Sequence, residues 1–89
     1  MATEAQRTVT VRVLTFARLR EALGFGEREF AFALPATLED VWTTVTAGWS
    51  EAAAMRPSTR FARNGTIVDG GTALAAGDEI AFLPPVGGG

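Results

Sequence analysis

The sequence predicts a single α+β domain in which one main helix packs across a mixed β-sheet. The chain has 89 residues, which is enough for one small domain. Stretches near both ends alternate between apolar and polar side chains, with the period of a half-buried strand. A central stretch instead carries its apolar residues at helical spacing. These observations together favour one layer of helix on one layer of sheet.

The first third of the chain predicts two paired strands with a short helix between them. Apolar and polar residues alternate in residues 8–16 and again in residues 28–34. The intervening helix is predicted to end at Gly24, because glycine readily takes the left-handed conformation that follows a helix. Pro35 ends the second strand, since proline has no N–H for the strand ladder.

The main helix is predicted to begin after Thr37, whose hydroxyl can cap its first turn. Apolar residues recur at positions i, i+3, i+4, i+7 and i+11 and form one stripe that faces the sheet. The stripe consists of Leu38, Val41, Trp42, Val45 and Trp49. Both tryptophans are therefore interpreted as core residues. Residues 50–58 are expected to form a loose turn or loop.

The last third of the chain predicts three short strands. Asn64-Gly65 is a strong signal for a tight hairpin turn. It joins predicted strands at residues 59–63 and 66–68. The last strand covers residues 79–83 and is stopped by Pro84-Pro85, which imposes an extended exit.

This order of strand, strand, helix and returning strands is the β-grasp pattern of ubiquitin-like domains. No linker, repeat or second domain is evident. The prediction is therefore one domain covering residues 1–89. Its globular body spans residues 8–83, and residues 84–89 form a flexible C-terminal tail.

The residue types that the chain lacks limit its function. It contains no His, Cys, Tyr or Lys, which supply most general bases, nucleophiles and Schiff-base formers. We therefore do not expect an enzyme with its own catalytic groups. The absence of Cys excludes disulfides and thiolate metal sites, and no metal site is expected.

Charge and hydropathy restrict the partners. The net charge of −2 argues against nucleic acid, because phosphate binding requires a basic patch. No apolar run approaches the length of a membrane span, and the N-terminus does not resemble a signal peptide. The expected location is the cytoplasm.

The C-terminal residues are the candidate site. Gly87, Gly88 and Gly89 have no Cβ atoms, so this backbone can thread a narrow channel and present a terminal carboxylate to another protein. The stiff Pro84-Pro85 pair would hold such a tail away from the domain body. A bare glycine run is also typical of a simple flexible end.

The end of the chain resembles a known family. Residues 74–89 read L-A-A-G-D-E-I-A-F-L-P-P-V-G-G-G. This pattern is similar to the end of the small subunits of molybdopterin synthase, which belong to the MoaD/ThiS ubiquitin-like sulfur carriers. Residues 16–21, F-A-R-L-R-E, resemble the same family's first helix. There are two departures: Gly87 fills the variable position before Gly-Gly, and Leu83 stands where a phenylalanine is common.

The resemblance implies a sulfur carrier for molybdenum cofactor biosynthesis. An E1-like enzyme would use ATP to adenylate Gly89, and a sulfur donor would convert it to a thiocarboxylate. The large synthase subunit, in an expected heterotetramer, would then pass this sulfur to a cyclic pterin precursor. The chain itself would bind no cofactor.

The resemblance also assigns roles to the residues before Gly89. The implied partner-binding residues are Gly88, Gly87, Val86, Pro85, Pro84, Leu83 and Phe82. Core packing is the favoured alternative for Phe82. Arg60 and Arg63 are expected near the tail, where they would meet an acidic partner or simply face solvent.

Other functions remain open at this point. Carriers that supply sulfur for thiazole or cysteine share the Gly-Gly end, although they tend to lack Pro-Pro-Val. A ubiquitin-like modifier attached to lysines through Gly89 is a second alternative. A plain interaction module with an incidental tail is a third.

Overall fold

The computed structural model describes residues 7–85, which form one five-stranded sheet with three helices and a 3-10 helix. In chain order the elements are β1 (Thr8–Thr15), α1 (Ala17–Leu23), β2 (Glu27–Ala33), α2 (Leu38–Thr46), α3 (Ser50–Ala53), the 3-10 helix (Arg56–Ser58), β3 (Arg60–Arg63), β4 (Thr66–Val68) and β5 (Glu79–Leu83). The predicted α+β class and the predicted order of the five strands and the main helix along the chain are confirmed. No helix in this range has both the length and the apolar character needed to cross a membrane.

The sheet is mixed, and β5 lies at its centre. The strand order is β2-β1-β5-β3-β4. β1 pairs in parallel with β5, whereas the β1–β2, β3–β5 and β3–β4 pairs are antiparallel. Because β5 has a hydrogen-bonded neighbour on each side, the chain that follows it leaves from the middle of the sheet's end. The candidate site therefore begins directly after the central strand.

Alternation along the strands produces the core as predicted. Val9, Val11 and Val13 of β1 are buried on the face that α2 covers. Three rings fill the space between α2 and the sheet. The Phe82 ring lies 5.0 Å from Trp42 and 5.2 Å from Phe61, measured between centroids. The Trp42–Phe82 contact is edge to face, which aromatic pairs favour.

Three local predictions are confirmed in detail. Gly24 has a φ of 84° and donates its N–H to the Arg20 carbonyl, closing α1. The Thr37 hydroxyl accepts the Asp40 N–H, and the Asp40 carboxylate accepts the Thr37 N–H in return. The hairpin turn has positive φ at both central positions, which Asn-Gly sequences tolerate.

Two predictions about the middle of the chain are wrong. Helix α2 ends at Thr46, and the chain turns through Gly48 at a φ of 84°. Trp49 therefore lies outside the apolar stripe and is 51% exposed. Of the two tryptophans, Trp42 is in the core and Trp49 is not. Residues 50–53 form α3 and residues 56–58 form the 3-10 helix, with a turn between them, so the segment is mostly helical where a loose turn or loop was expected. The alanine-rich run favours helix, and Ala52 packs fully buried against the core.

Candidate functional site

The structure describes only part of the predicted site. Phe82, Leu83, Pro84 and Pro85 are described, whereas Val86, Gly87, Gly88 and Gly89 lie outside the described residues. The assignments to sulfur loading and channel threading therefore stay predictions. The structure does define the base from which these residues continue.

Phe82 and Leu83 face opposite sides of the sheet. Phe82 is fully buried against Trp42 and Phe61, so its side chain serves the core and offers no surface to a partner. This bears out core packing, the favoured alternative for this residue. Leu83 lies opposite Arg60 of β3 and is partly exposed, so it is available for contact.

Two surface grooves flank the Pro84-Pro85 segment. The α1 groove has a volume of about 190 Å³ and is lined, besides both prolines, by Arg18, Leu19, Ala54, Met55, Ser58 and Thr59. The β3 groove has a volume of about 580 Å³ and is lined, besides both prolines, by Pro57, Ser58, Thr59, Arg60, Ile67 and Leu83. The base of the tail is thus a ridge between two mainly apolar depressions.

The start of β5 is held by a hydrogen-bond network that connects it to the β3–β4 hairpin. Buried Asp78 accepts the Asn64 side-chain amide at 3.0 Å and the Ala75 N–H at 2.8 Å. The Asn64 side-chain oxygen accepts the Glu79 N–H at 2.9 Å. The Gly-Asp-Glu and Asn residues of the sequence pattern therefore anchor the strand that carries the tail. Sequence reasoning noted these residues but assigned them no contact.

Of the two arginines expected near the tail, only Arg60 lies there. Arg60 is exposed and lines the β3 groove with both prolines. Arg63 pairs with Ile80, towards the start of β5, and donates to the Ala73 carbonyl at 2.9 Å. Its guanidinium also lies 4.0 Å from the Asp78 carboxylate. Arg63 therefore belongs to the anchored end.

The 3-10 helix beside both grooves is held by an ion pair that sequence reasoning missed. The Arg56 guanidinium binds both carboxylate oxygens of Glu39, at 2.8 and 2.9 Å, and stacks 4.1 Å above the Phe61 ring. This hydrogen-bonded contact lowers the pKa of Glu39 below its ordinary value and raises the pKa of Arg56. No local pattern signals the pair, because its members are 17 residues apart.

Comparison with known proteins identifies the family. The ThiS family model matches residues 13–89. The chain belongs to the ThiS family. It is 33% identical over 81 residues to the molybdopterin synthase sulfur carrier subunit of Chlamydomonas reinhardtii, covering 89% of this chain and 98% of that relative. The predicted resemblance to the MoaD/ThiS ubiquitin-like sulfur carriers is confirmed.

Solved structures agree on the β-grasp fold of this ThiS family member. A putative molybdopterin converting factor subunit 1 from Pyrococcus furiosus aligns with a TM-score of 0.77 and 26% identity, covering 88% of this chain and 99% of that one. SAMP1 from Haloferax volcanii aligns at 0.75 and 28%, covering 90% and 99%. A Caldiarchaeum subterraneum ubiquitin, at 0.62 and 19% over 93% and 100%, supports the fold alone.

Proposed function

We propose that this chain carries sulfur as a thiocarboxylate at Gly89 and delivers it as the small subunit of molybdopterin synthase. The observation that carries the proposal is its match, over nearly the full length of both chains, to a sulfur carrier subunit of that enzyme. The geometry supports it. β5 is fixed in the sheet, and Pro84-Pro85 continues from it between two open grooves.

The chemistry proceeds in two steps, because a carboxylate is a poor electrophile. The Gly89 carboxylate attacks the α-phosphate of ATP and releases pyrophosphate, forming an acyl-adenylate. A sulfide nucleophile then attacks the acyl carbon and expels AMP, leaving the thiocarboxylate. The thiocarboxylate sulfur then bonds to a carbon of the pterin precursor and displaces an oxygen group from it, which gives a thioester. Water cleaves the bond between the acyl carbon and sulfur, leaving the sulfur on the pterin and the carboxylate on Gly89 for another cycle.

The partners supply the reactive groups in this proposal. The chain has no His, Cys, Lys or Tyr, so proton transfers fall to an E1-like adenylating enzyme and to the large synthase subunit. The carrier and large subunit would form a heterotetramer. The carrier would hold sulfur covalently, with no cofactor of its own, and would work in the cytoplasm.

Intact-mass spectrometry tests the loading step. A chain that ends at Gly89 is incubated with a purified E1-like enzyme of this family, ATP and sulfide. We expect a mass increase equal to replacement of one oxygen by sulfur, mapped to Gly89. Matched controls are a chain lacking Gly88 and Gly89 and a chain extended beyond Gly89.

Both controls should fold normally and remain unloaded. Loading of the extended chain at the wild-type rate would contradict the proposal. So would an unloaded wild-type chain when the same enzyme loads another carrier. Presenting the loaded chain to molybdopterin, thiazole and cysteine acceptor enzymes then identifies the pathway, and we expect transfer only to the molybdopterin synthase large subunit.

A second candidate function is protein modification through Gly89. Solved structures of small archaeal modifier proteins from Haloferax volcanii and Methanosarcina acetivorans are each 28% identical to this chain, with TM-scores of 0.75 and 0.72. A modifier would form an isopeptide bond between Gly89 and lysines of other proteins. Higher-mass adducts that disappear when Gly88 and Gly89 are removed would favour this function. Their absence, with loading intact, would favour the carrier.

A further inference from the structure

Two arginines stand on opposite sides of the Pro84-Pro85 ridge. Arg18, on α1, lines the α1 groove, and Arg60, on β3, lines the β3 groove. Both side chains are exposed. Since each groove also contains both prolines, a partner that contacts this segment on both sides meets one arginine in each groove.

Neither arginine has an acidic partner within residues 7–85. Arg12, Arg56 and Arg63 form ion pairs there. Arg18 and Arg60, like Arg20 and Arg28, form neither an ion pair nor a side-chain hydrogen bond with the described residues, but only Arg18 and Arg60 line the grooves that contain both prolines. No Asp or Glu is among the residues that line the two grooves. The base of the tail is therefore locally basic, although the chain as a whole has a net charge of −2.

Each arginine lies beside an apolar surface. The α1 groove presents Met55 next to Arg18. The β3 groove presents Leu83 and Ile67, and Ile67 is 52% exposed. Arginine combined with a concave apolar patch is the composition that protein–protein interfaces favour at their energetic centres. Two isolated charges on an acidic protein do not suit a nucleic acid, which requires a continuous basic track.

We propose that the adenylating enzyme that receives the tail straddles the Pro84-Pro85 ridge and grips it with an acidic rim. In this arrangement carboxylates of the enzyme pair with Arg18 on one side and Arg60 on the other. Apolar side chains of the enzyme occupy the two grooves. The inference rests on the proposed function and adds the surface through which the tail is recognised.

Charge reversal tests the rim. Arg18→Glu and Arg60→Glu are compared with Arg7→Glu. This control changes the charge equally, but Arg7 lies just before β1, at the end of that strand that is farther from Pro84-Pro85. Steady-state loading of each variant by the E1-like enzyme gives kcat and KM. We expect each reversal at the ridge to raise KM about tenfold, because attraction becomes repulsion. We expect kcat to stay unchanged, because both arginines lie beside the base of the tail and would act on docking rather than on the chemical step.

Three further experiments exclude indirect effects. Arg18→Lys and Arg60→Lys keep the positive charge, so their KM values should stay much closer to the wild-type value than those of the reversed variants. Added salt should raise the wild-type KM and lower that of the double reversal, because screening weakens the attraction in the first and the repulsion in the second. Circular dichroism and thermal unfolding check that the reversed variants remain folded, as expected for exposed side chains.

The outcomes separate this inference from the proposed function. If the wild-type chain loads and both ridge reversals load equally well, the acidic rim is wrong and the carrier function stands. An equal loss in Arg7→Glu would mean that only net charge matters, and it would also overturn the rim. If sedimentation shows a wild-type dimer that Arg60→Glu dissociates, the grooves serve self-association instead. If the wild-type chain is never loaded, both proposals fall.

Discussion

The two ends of β5 are built differently. At its start, the side chains of Asp78 and Asn64 form hydrogen bonds with each other and with neighbouring backbone groups. The Arg63 guanidinium donates a hydrogen bond to the Ala73 carbonyl. At its end, Arg60 and Leu83 border an open groove and have no such internal partners among the described residues. One end of the strand is secured by contacts within the chain. The other presents charge and apolar surface to another molecule, which is where binding residues tend to concentrate.

The largest expected effect is a difference in stability loss between substitutions at the last two residues of β5. Phe82→Ala removes a ring packed between Trp42 and Phe61 and should lower the free energy of unfolding by about 3–5 kcal/mol. Leu83→Ala, on the partly exposed face, should lower it by less than about 1 kcal/mol. Urea unfolding measures both. Equal losses would mean that the two faces of β5 do not differ as the structure indicates.

A smaller effect tests the anchored end. Asp78→Ala leaves the Asn64 amide and the Ala75 N–H without their acceptor and should cost about 2–3 kcal/mol. Asp69→Ala is the matched control. Among the described residues this exposed carboxylate accepts a hydrogen bond from the Gly71 N–H alone, so its loss should cost less than about 1 kcal/mol. Thermal unfolding compares them. A loss for Asp78→Ala no larger than the control would contradict the anchoring role.

The smallest effect concerns Arg56, which is paired, in contrast to nearby Arg60. Its contact lowers the folded-state pKa of Glu39 below the ordinary value of 4.5. The stabilisation is therefore complete well above pH 4.5 and is lost as the pH falls through the lower folded value. The pair is partly exposed, so its contribution should be less than about 1 kcal/mol.

Glu39→Gln removes this acid-sensitive contribution. The stability advantage of the wild type over this variant should shrink as the pH is lowered from neutral towards 3, roughly the range in which carboxylates protonate. Melting temperatures across this range measure the difference. Glu51→Gln, at an exposed position on α3, controls for the loss of one negative charge. A constant wild-type advantage at every pH would show that the pair does not stabilise the fold.

Local chemistry accounts for what could be predicted before the structure. The β1 valines alternate with polar residues, so one face of the strand must be buried. Gly24, Thr37 and the Asn64-Gly65 turn act through their own backbone or the next few residues, and all three behave as expected. The pattern of residues 74–89, together with residues 16–21, indicated the family, because a sequence motif depends on chain order alone.

Long-range packing accounts for what could not be predicted. Trp49 continues the helical spacing of α2, but the helix stops at Thr46 and the ring turns outward. The Glu39–Arg56 pair joins residues that no sequence period relates. Arg18 and Arg60 each line a groove with Pro84-Pro85 only because the folded chain brings α1 and β3 close to this segment. Sequence periodicity determines which face of an element is apolar, whereas contacts between distant elements determine which charges remain unpaired beside the tail.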